Sequence, residues 1–164
     1  MKRTVCIILL AATLLSFAAF SGCSKDKGGF KDDVKVEDLA SKLEKTFEAE
    51  GLTAVDEGYI KGMMKLEPDD LGEYIVKLNV YGTNIDEYGI LKGADEKETK
   101  ELKKAMEDYL KMRDESWMPE YMPEEYPKLK NADCKSFGNY VIYAILGDEA
   151  KDALFAEAEA QLKK

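Results

Sequence analysis

The sequence predicts an α+β domain: a four-stranded antiparallel sheet packed by amphipathic helices, in the order helix, then two strand–strand–helix units. Three observations predict it. Apolar residues near the start recur with the helical period, at Val36, Leu39, Ala40, Leu43 and Phe47. At Tyr74 the period drops from 3.6 to 2. Tyr74, Val76, Leu78 and Val80 there alternate with mostly polar neighbours, the mark of a half-buried strand. The strand–strand–helix succession then occurs twice, and short turns between paired strands make each pair antiparallel.

The first helix starts near Val36 and must stop by Gly51. A shorter helix covers 56–64, and LEPDDL (66–71) is a turn. Strands at 73–81 and 87–93 flank the turn GTNID (82–86). Asp95 followed by Glu98 is a capping-box pattern. It opens a long helix over 96–116 with an apolar stripe at Leu102, Met106, Tyr109 and Leu110, continued by Arg113 and Trp117. Pro119, Pro123 and Pro127 cannot sit inside a helix, so 117–132 is an irregular connector with at most a short helix from Pro123. Strands at 132–137 and 139–146 turn about Gly138-Asn139. A last helix over 149–163 places Ala150, Leu154, Ala158 and Leu162 on one face. The helices are expected to cover one face of the sheet.

Residues 1–22 read as a leader. Lys2 and Arg3 precede the apolar run Val5–Phe20, the layout of an export signal. At about 1.5 Å per residue that run spans roughly 24 Å, short of the ~30 Å needed to cross a bilayer. Phe20-Ser21-Gly22-Cys23 resembles the lipobox of prolipoproteins, although Phe20 stands where that motif usually has an aliphatic residue. The resemblance implies that Cys23 is lipidated and becomes the new N-terminus. The product would be exported and anchored by its lipid to the outer face of the cytoplasmic membrane. Residues 23–33, with SKDKGGFKDD after the cysteine, form a flexible tether. Residues 34–164 form one domain.

Composition excludes several classes. The chain has 33 acidic against 24 basic residues, a net charge of −9, and no histidine. Histidine-based triads, bases and metal sites are thereby removed. Arg113 is the sole arginine after the leader, and an acidic domain so poor in arginine is no nucleic-acid binder. With Cys6 in the leader and Cys23 lipidated, Cys134 has no internal disulfide partner. In a strand pattern and without histidine to activate it, Cys134 reads as a small buried residue.

No catalytic residue, metal site or cofactor is called for. Asn84, Asp86 and Glu87 could ligate a cation through side-chain oxygens, but turn chemistry alone accounts for Asn and Asp there. Acidic pairs such as Asp69-Asp70 and Glu124-Glu125 lack calcium-loop spacing and read as solvated charge. The aromatic–proline connector is the least ordinary stretch. Trp117, Tyr121 and Tyr126 put large flat faces on a segment too proline-rich for an ordinary helix, which suits a peptide or saccharide ligand. The competing reading is that they roof the core.

VEDLASKLEKTF (36–47), EPDDLGEYIV (67–76), NIDEYGILK (84–92), YMPEEYPKLKNA (121–132) and GNYVIYAIL (138–146) carry a family resemblance. From about 34 to 163 the chain resembles a lipoprotein family of clostridia-like Gram-positive bacteria, domain of unknown function 4358. The resemblance implies an exported, lipid-anchored α+β domain, and it supplies no catalytic residues. Two function classes stay open. One is a membrane-tethered binding or accessory module, a monomer whose partner is an envelope protein, peptide or small ligand. The other is an envelope hydrolase using carboxylates or a metal.

Overall fold

Five strands, not four, make the sheet, in the order β1-β2-β3-β5-β4 with every neighbouring pair antiparallel. The computed structural model describes residues 29–49, 51–118 and 120–164. The strands are β1 Leu52–Ala54, β2 Tyr74–Asn79, β3 Glu87–Lys92, β4 Asp133–Phe137 and β5 Tyr140–Ile145. β1 is the added strand, and three residues are too few to show a period of 2. It forms because Gly51, at φ 84°, turns the chain back so that Leu52 pairs with Asn79. A Cβ at Gly51 would come within 2.9 Å of the Asn79 and Tyr81 side chains.

The helices are α1 Val36–Leu43, α2 Glu57–Tyr59 running into a π-helical turn Ile60–Met64, α3 Glu96–Glu115, α4 Tyr126–Lys130 and α5 Asp148–Leu162. α1 ends earlier than its stripe suggested. Thr46 donates both its N–H and its hydroxyl to the Leu43 carbonyl, which closes the last turn. Phe47 lies past the helix end but still packs edge-on against Tyr88, with ring centroids 5.9 Å apart. At the start of α3, Asp95 accepts from the Glu98 N–H at 2.9 Å. The Glu98 carboxylate reaches back to the Ala94 N–H at 2.9 Å, one residue further than a capping box requires.

Both faces of the sheet are covered, which corrects the one-face expectation. α1 and α5 pack with Tyr88, Ile90, Tyr140, Ile142 and Ala144 on one side. α3 and the π-helical turn pack with Val76, Leu91, Val141, Tyr143 and Ile145 on the other. β5 is buried at every position. A strand covered on both sides needs no polar alternation, and YVIYAI has none. Cys134 lies buried in this second core, its thiol pushed up to about 12, first by burial and then by the charge of Glu107.

The chain's entry is fastened to its end. Lys164 N–H donates to the Gly29 carbonyl at 2.8 Å and Lys31 N–H to the Leu162 carbonyl at 2.7 Å. Phe30 meets Phe137 edge-on at 5.9 Å, and Asn139 donates to Asp32 at 2.7 Å. Residues 29–33, read as tether from their composition, therefore pack on the β4–β5 turn. Cys23 lies outside the described residues. No helix among the described residues is long and apolar enough to cross a membrane.

Candidate binding cleft

Glu87, the first residue of β3, is 1% exposed and is held by three side chains. Tyr109 of α3 and Tyr143 of β5 donate their hydroxyls to its Oε1 at 2.6 and 2.7 Å. Arg113, one turn beyond Tyr109, forms an ion pair with its Oε2. The same guanidinium nitrogen reaches the hydroxyls of Tyr109 at 2.7 Å and Tyr59 at 3.1 Å. Tyr59 and Tyr109 are themselves 2.6 Å apart, hydroxyl to hydroxyl. A carboxylate taken out of water needs such partners.

Local sequence explains the geometry. Tyr143 faces Gly89 across the β3–β5 pair. A Cβ at Gly89 would lie 2.3 Å from the Tyr143 ring, so glycine makes the space in which the ring lies and its hydroxyl reaches Glu87. Burial and then the Glu87 charge raise the Tyr109 and Tyr143 phenols well above their ordinary value. Tyr59 is raised for the same two reasons. On Arg113 burial opposes the charge, but Glu87 and the tyrosine oxygens outweigh it and hold the guanidinium protonated.

Above this network opens a cleft of about 340 Å³. Tyr59, Met63, Leu78, Trp117 and Tyr121 line it, with the buried Glu87 and the largely buried Arg113 as its floor. Trp117, Tyr121 and Tyr126 come together. Trp117 stacks on Tyr126 with centroids 6.4 Å apart and planes 7° from parallel, and Tyr121 tilts against it at 5.8 Å. Trp117 and Tyr126 are half-buried against the α3-side core, whereas Tyr121 is 54% exposed. Two of the three thus help roof the core, and one stands in water. Met122, next to Tyr121, has a left-handed backbone at φ 48°, an uncommon conformation for a residue with a side chain.

The exposed large apolar residues gather at this end. Met63 and Tyr121 line the cleft, and Met118 follows Trp117. Val80 and Tyr81 follow Leu78 and Asn79 of its wall. The cleft lies at the Glu87–Ile145 end of the central strands, whereas the N-terminal fastening lies at the Lys92–Tyr140 end. Five residues of strand, roughly 17 Å, separate those ends.

The turn residues considered as cation ligands are committed elsewhere. Asn84 Oδ1 accepts from the Asp86 N–H at 3.0 Å, and Asp86 pairs with Lys128 at 2.8 Å. Glu125, also on Lys128, accepts from the Ile85 N–H at 3.1 Å. Among the described residues no three acidic or thiol side chains are grouped to hold a metal ion. Sequence reasoning missed the role of Glu87, Tyr59, Tyr109 and Tyr143. Its available signal was Arg113: a lone arginine on an apolar stripe requires a buried acid.

Fold and cleft together define the class: a two-sided α+β domain with an aromatic cleft at the strand ends away from its N-terminal fastening. The chain belongs to the domain of unknown function 4358 family, whose model matches residues 45–146. That span runs from ahead of β1 to the end of β5 and includes every cleft residue named above. No curated protein and no solved structure matches the chain.

Proposed function

We propose that this protein is a surface lipoprotein, a membrane-tethered binding or accessory module of the cell envelope that meets its partner at the Trp117–Tyr121–Tyr126 cleft. The observation that carries the reading is the collection of exposed apolar side chains, Met63, Val80, Tyr81, Met118 and Tyr121, about one end of the domain. Single exposed apolar residues are ordinary, whereas a group of them around a concave surface marks an interaction site. Lipidation at Cys23 would hold the domain on the outer face of the cytoplasmic membrane.

Site-specific photocrosslinking in intact cells tests both halves. A benzophenone side chain at Met118 or Tyr121 is expected to capture a discrete envelope component, and one at exposed Lys163 is not. Equal capture from both ends, or none from the cleft, overturns the binding reading. Cys23→Ala is expected to move the protein out of the membrane fraction. A mature N-terminus at any residue other than Cys23 overturns the anchor.

A further inference from the structure

We propose that the cleft docks a basic polypeptide segment: one apolar or aromatic side chain enters between Met63 and the Trp117–Tyr121 pair, and flanking lysine or arginine side chains meet Glu120 and Glu124. The proposal rests on the binding reading above and names its partner.

Size sets the first limit. About 340 Å³ lies at the low end of ligand pockets, which run to roughly 1,000 Å³. It fits one or two side chains of a peptide.

The polar groups of the cleft set the second limit: its charged and hydroxyl groups are already engaged, and Trp117 Nε1 is a buried donor there without a partner among the described residues. Asn79 Oδ1 accepts from the Tyr81 N–H at 2.9 Å and Asn84 Oδ1 from the Asp86 N–H at 3.0 Å. Arg113 is held by Glu87, and the Tyr59 hydroxyl by Tyr109 and Arg113. A sugar with hydroxyls on every edge needs several convergent free donors and acceptors. What this cleft offers instead is apolar wall and aromatic face, the surface that an inserted side chain uses.

Charge chooses among peptides. Glu120 and Glu124 flank Tyr121, both are exposed, and among the described residues neither forms an ion pair. The neighbouring cations are all engaged: Lys128 by Asp86 and Glu125, Lys130 by Asp114. The rim is therefore negative on a chain of net charge −9. Such a rim attracts a basic segment and repels an acidic one. A lipid surface fits less well. An anionic bilayer is repelled by this rim, and a domain tethered through residues ahead of Gly29 carries its cleft at the opposite strand ends.

Trp117 is the sole tryptophan, so its fluorescence reports on the cleft without a label. The full chain in zwitterionic nanodiscs would be titrated with four probes. They are the peptide Lys-Lys-Tyr-Leu-Lys-Lys, its counterpart with glutamate for lysine, an N-acetylglucosamine tetramer and phosphatidylglycerol vesicles. The basic peptide is expected to change Trp117 emission saturably and to bind more weakly as salt rises. Tyr121→Ala should raise its dissociation constant at least ten-fold. Glu120→Gln and Glu124→Gln should cost about three-fold each and about ten-fold together, with unchanged melting curves showing that the variants fold. A saturable response to the acidic peptide, the sugar or the vesicles, but not to the basic peptide, overturns the assigned partner while keeping the cleft as a binding site. Silence from all four probes with folded variants overturns the proposal. In that case crosslinking at Tyr121 decides independently whether the binding reading survives.

Discussion

The floor and the rim of the cleft use the same kinds of side chain to opposite ends. On the floor, acid, arginine and tyrosines are packed so that Glu87 has three partners and Arg113 three oxygen contacts, one on each of three side chains. On the rim, Tyr121, Glu120 and Glu124 stand in water, and the two carboxylates have no ion pair among the described residues. A charge whose partners are all internal holds the fold together and has nothing left to offer a ligand. A charge without one is available. On the proposed reading the rim serves binding and the floor stability, and the contrast can be broken at either place.

The largest effect belongs to the floor. Arg113→Leu leaves the Glu87 carboxylate buried with no cation, and stripping one partner from such a pair costs about 3–5 kcal/mol. Denaturant unfolding of the variant should show a loss of that order. A loss under about 1 kcal/mol would mean that water reaches Glu87 and that the floor is not closed. Next comes Gly89→Ala, which sets a methyl group against the Tyr143 ring. Overpacking of this kind costs about 1–3 kcal/mol. If the ring gives way instead, the Tyr143 hydroxyl leaves Glu87, and pairing the change with Tyr143→Phe should then add little.

Much of the fold was legible because its signals are local. The Asp95–Glu98 start of α3, the stripe from Leu102 to Leu110 and the period-2 run at Tyr74 each report through near neighbours in sequence. β1 was not legible, since Leu52–Ala54 exists through its pairing with β2 more than through its own residues. Burial of both sheet faces was written in YVIYAI as unbroken apolarity, but a run of that length does not say which helices supply the cover. The rim aromatics stood out because prolines interrupt their segment. The floor did not, because Tyr59, Glu87, Tyr109, Arg113 and Tyr143 come from four separate elements. Their chemistry appears when the sheet and α3 bring them together.

Alkaline pH tests the floor in proportion to how dry it is. Tyr109 and Tyr143 have folded-state pKa values raised above 10.0, first by burial and then by the Glu87 charge. Tyr88 is raised by burial and by Glu44. A raised phenol favours the protonated form, so its contribution to stability is complete below pH 10 and is lost as the unfolded chain releases protons above it. Each such group costs up to about 1.4 kcal/mol per pH unit there. Cys134 adds the same trend from pH 9.0 to about 12. Unfolding free energy should therefore fall with pH above about 9, and Cys134→Ala should delay the onset. Phenolate absorbance below the pH of unfolding that Tyr109→Phe or Tyr143→Phe removes would show that the buried tyrosines titrate in the native state and that the floor is wet.

The smallest stability effect is expected at Tyr121, the residue to which the proposal gives the largest share of binding. Trp117 and Tyr126 pack on the core, so their truncation to Ala should destabilise in proportion to what they bury, short of the ~3–5 kcal/mol of a fully buried aromatic. Tyr121 is 54% exposed, and it touches Trp117 from the solvent side. Tyr121→Ala should stay within about ±0.5 kcal/mol of the parent, the range of a surface substitution. Measured side by side in denaturant, the three variants should rank Trp117 and Tyr126 well above Tyr121. If Tyr121→Ala instead costs several kcal/mol, its ring belongs to the roof of the core, and the floor–rim contrast collapses into a single packed structure. If it costs nothing, its exposed face has no structural reason to be aromatic, and the remaining reason for a tyrosine between two unpaired glutamates is what it touches outside the molecule.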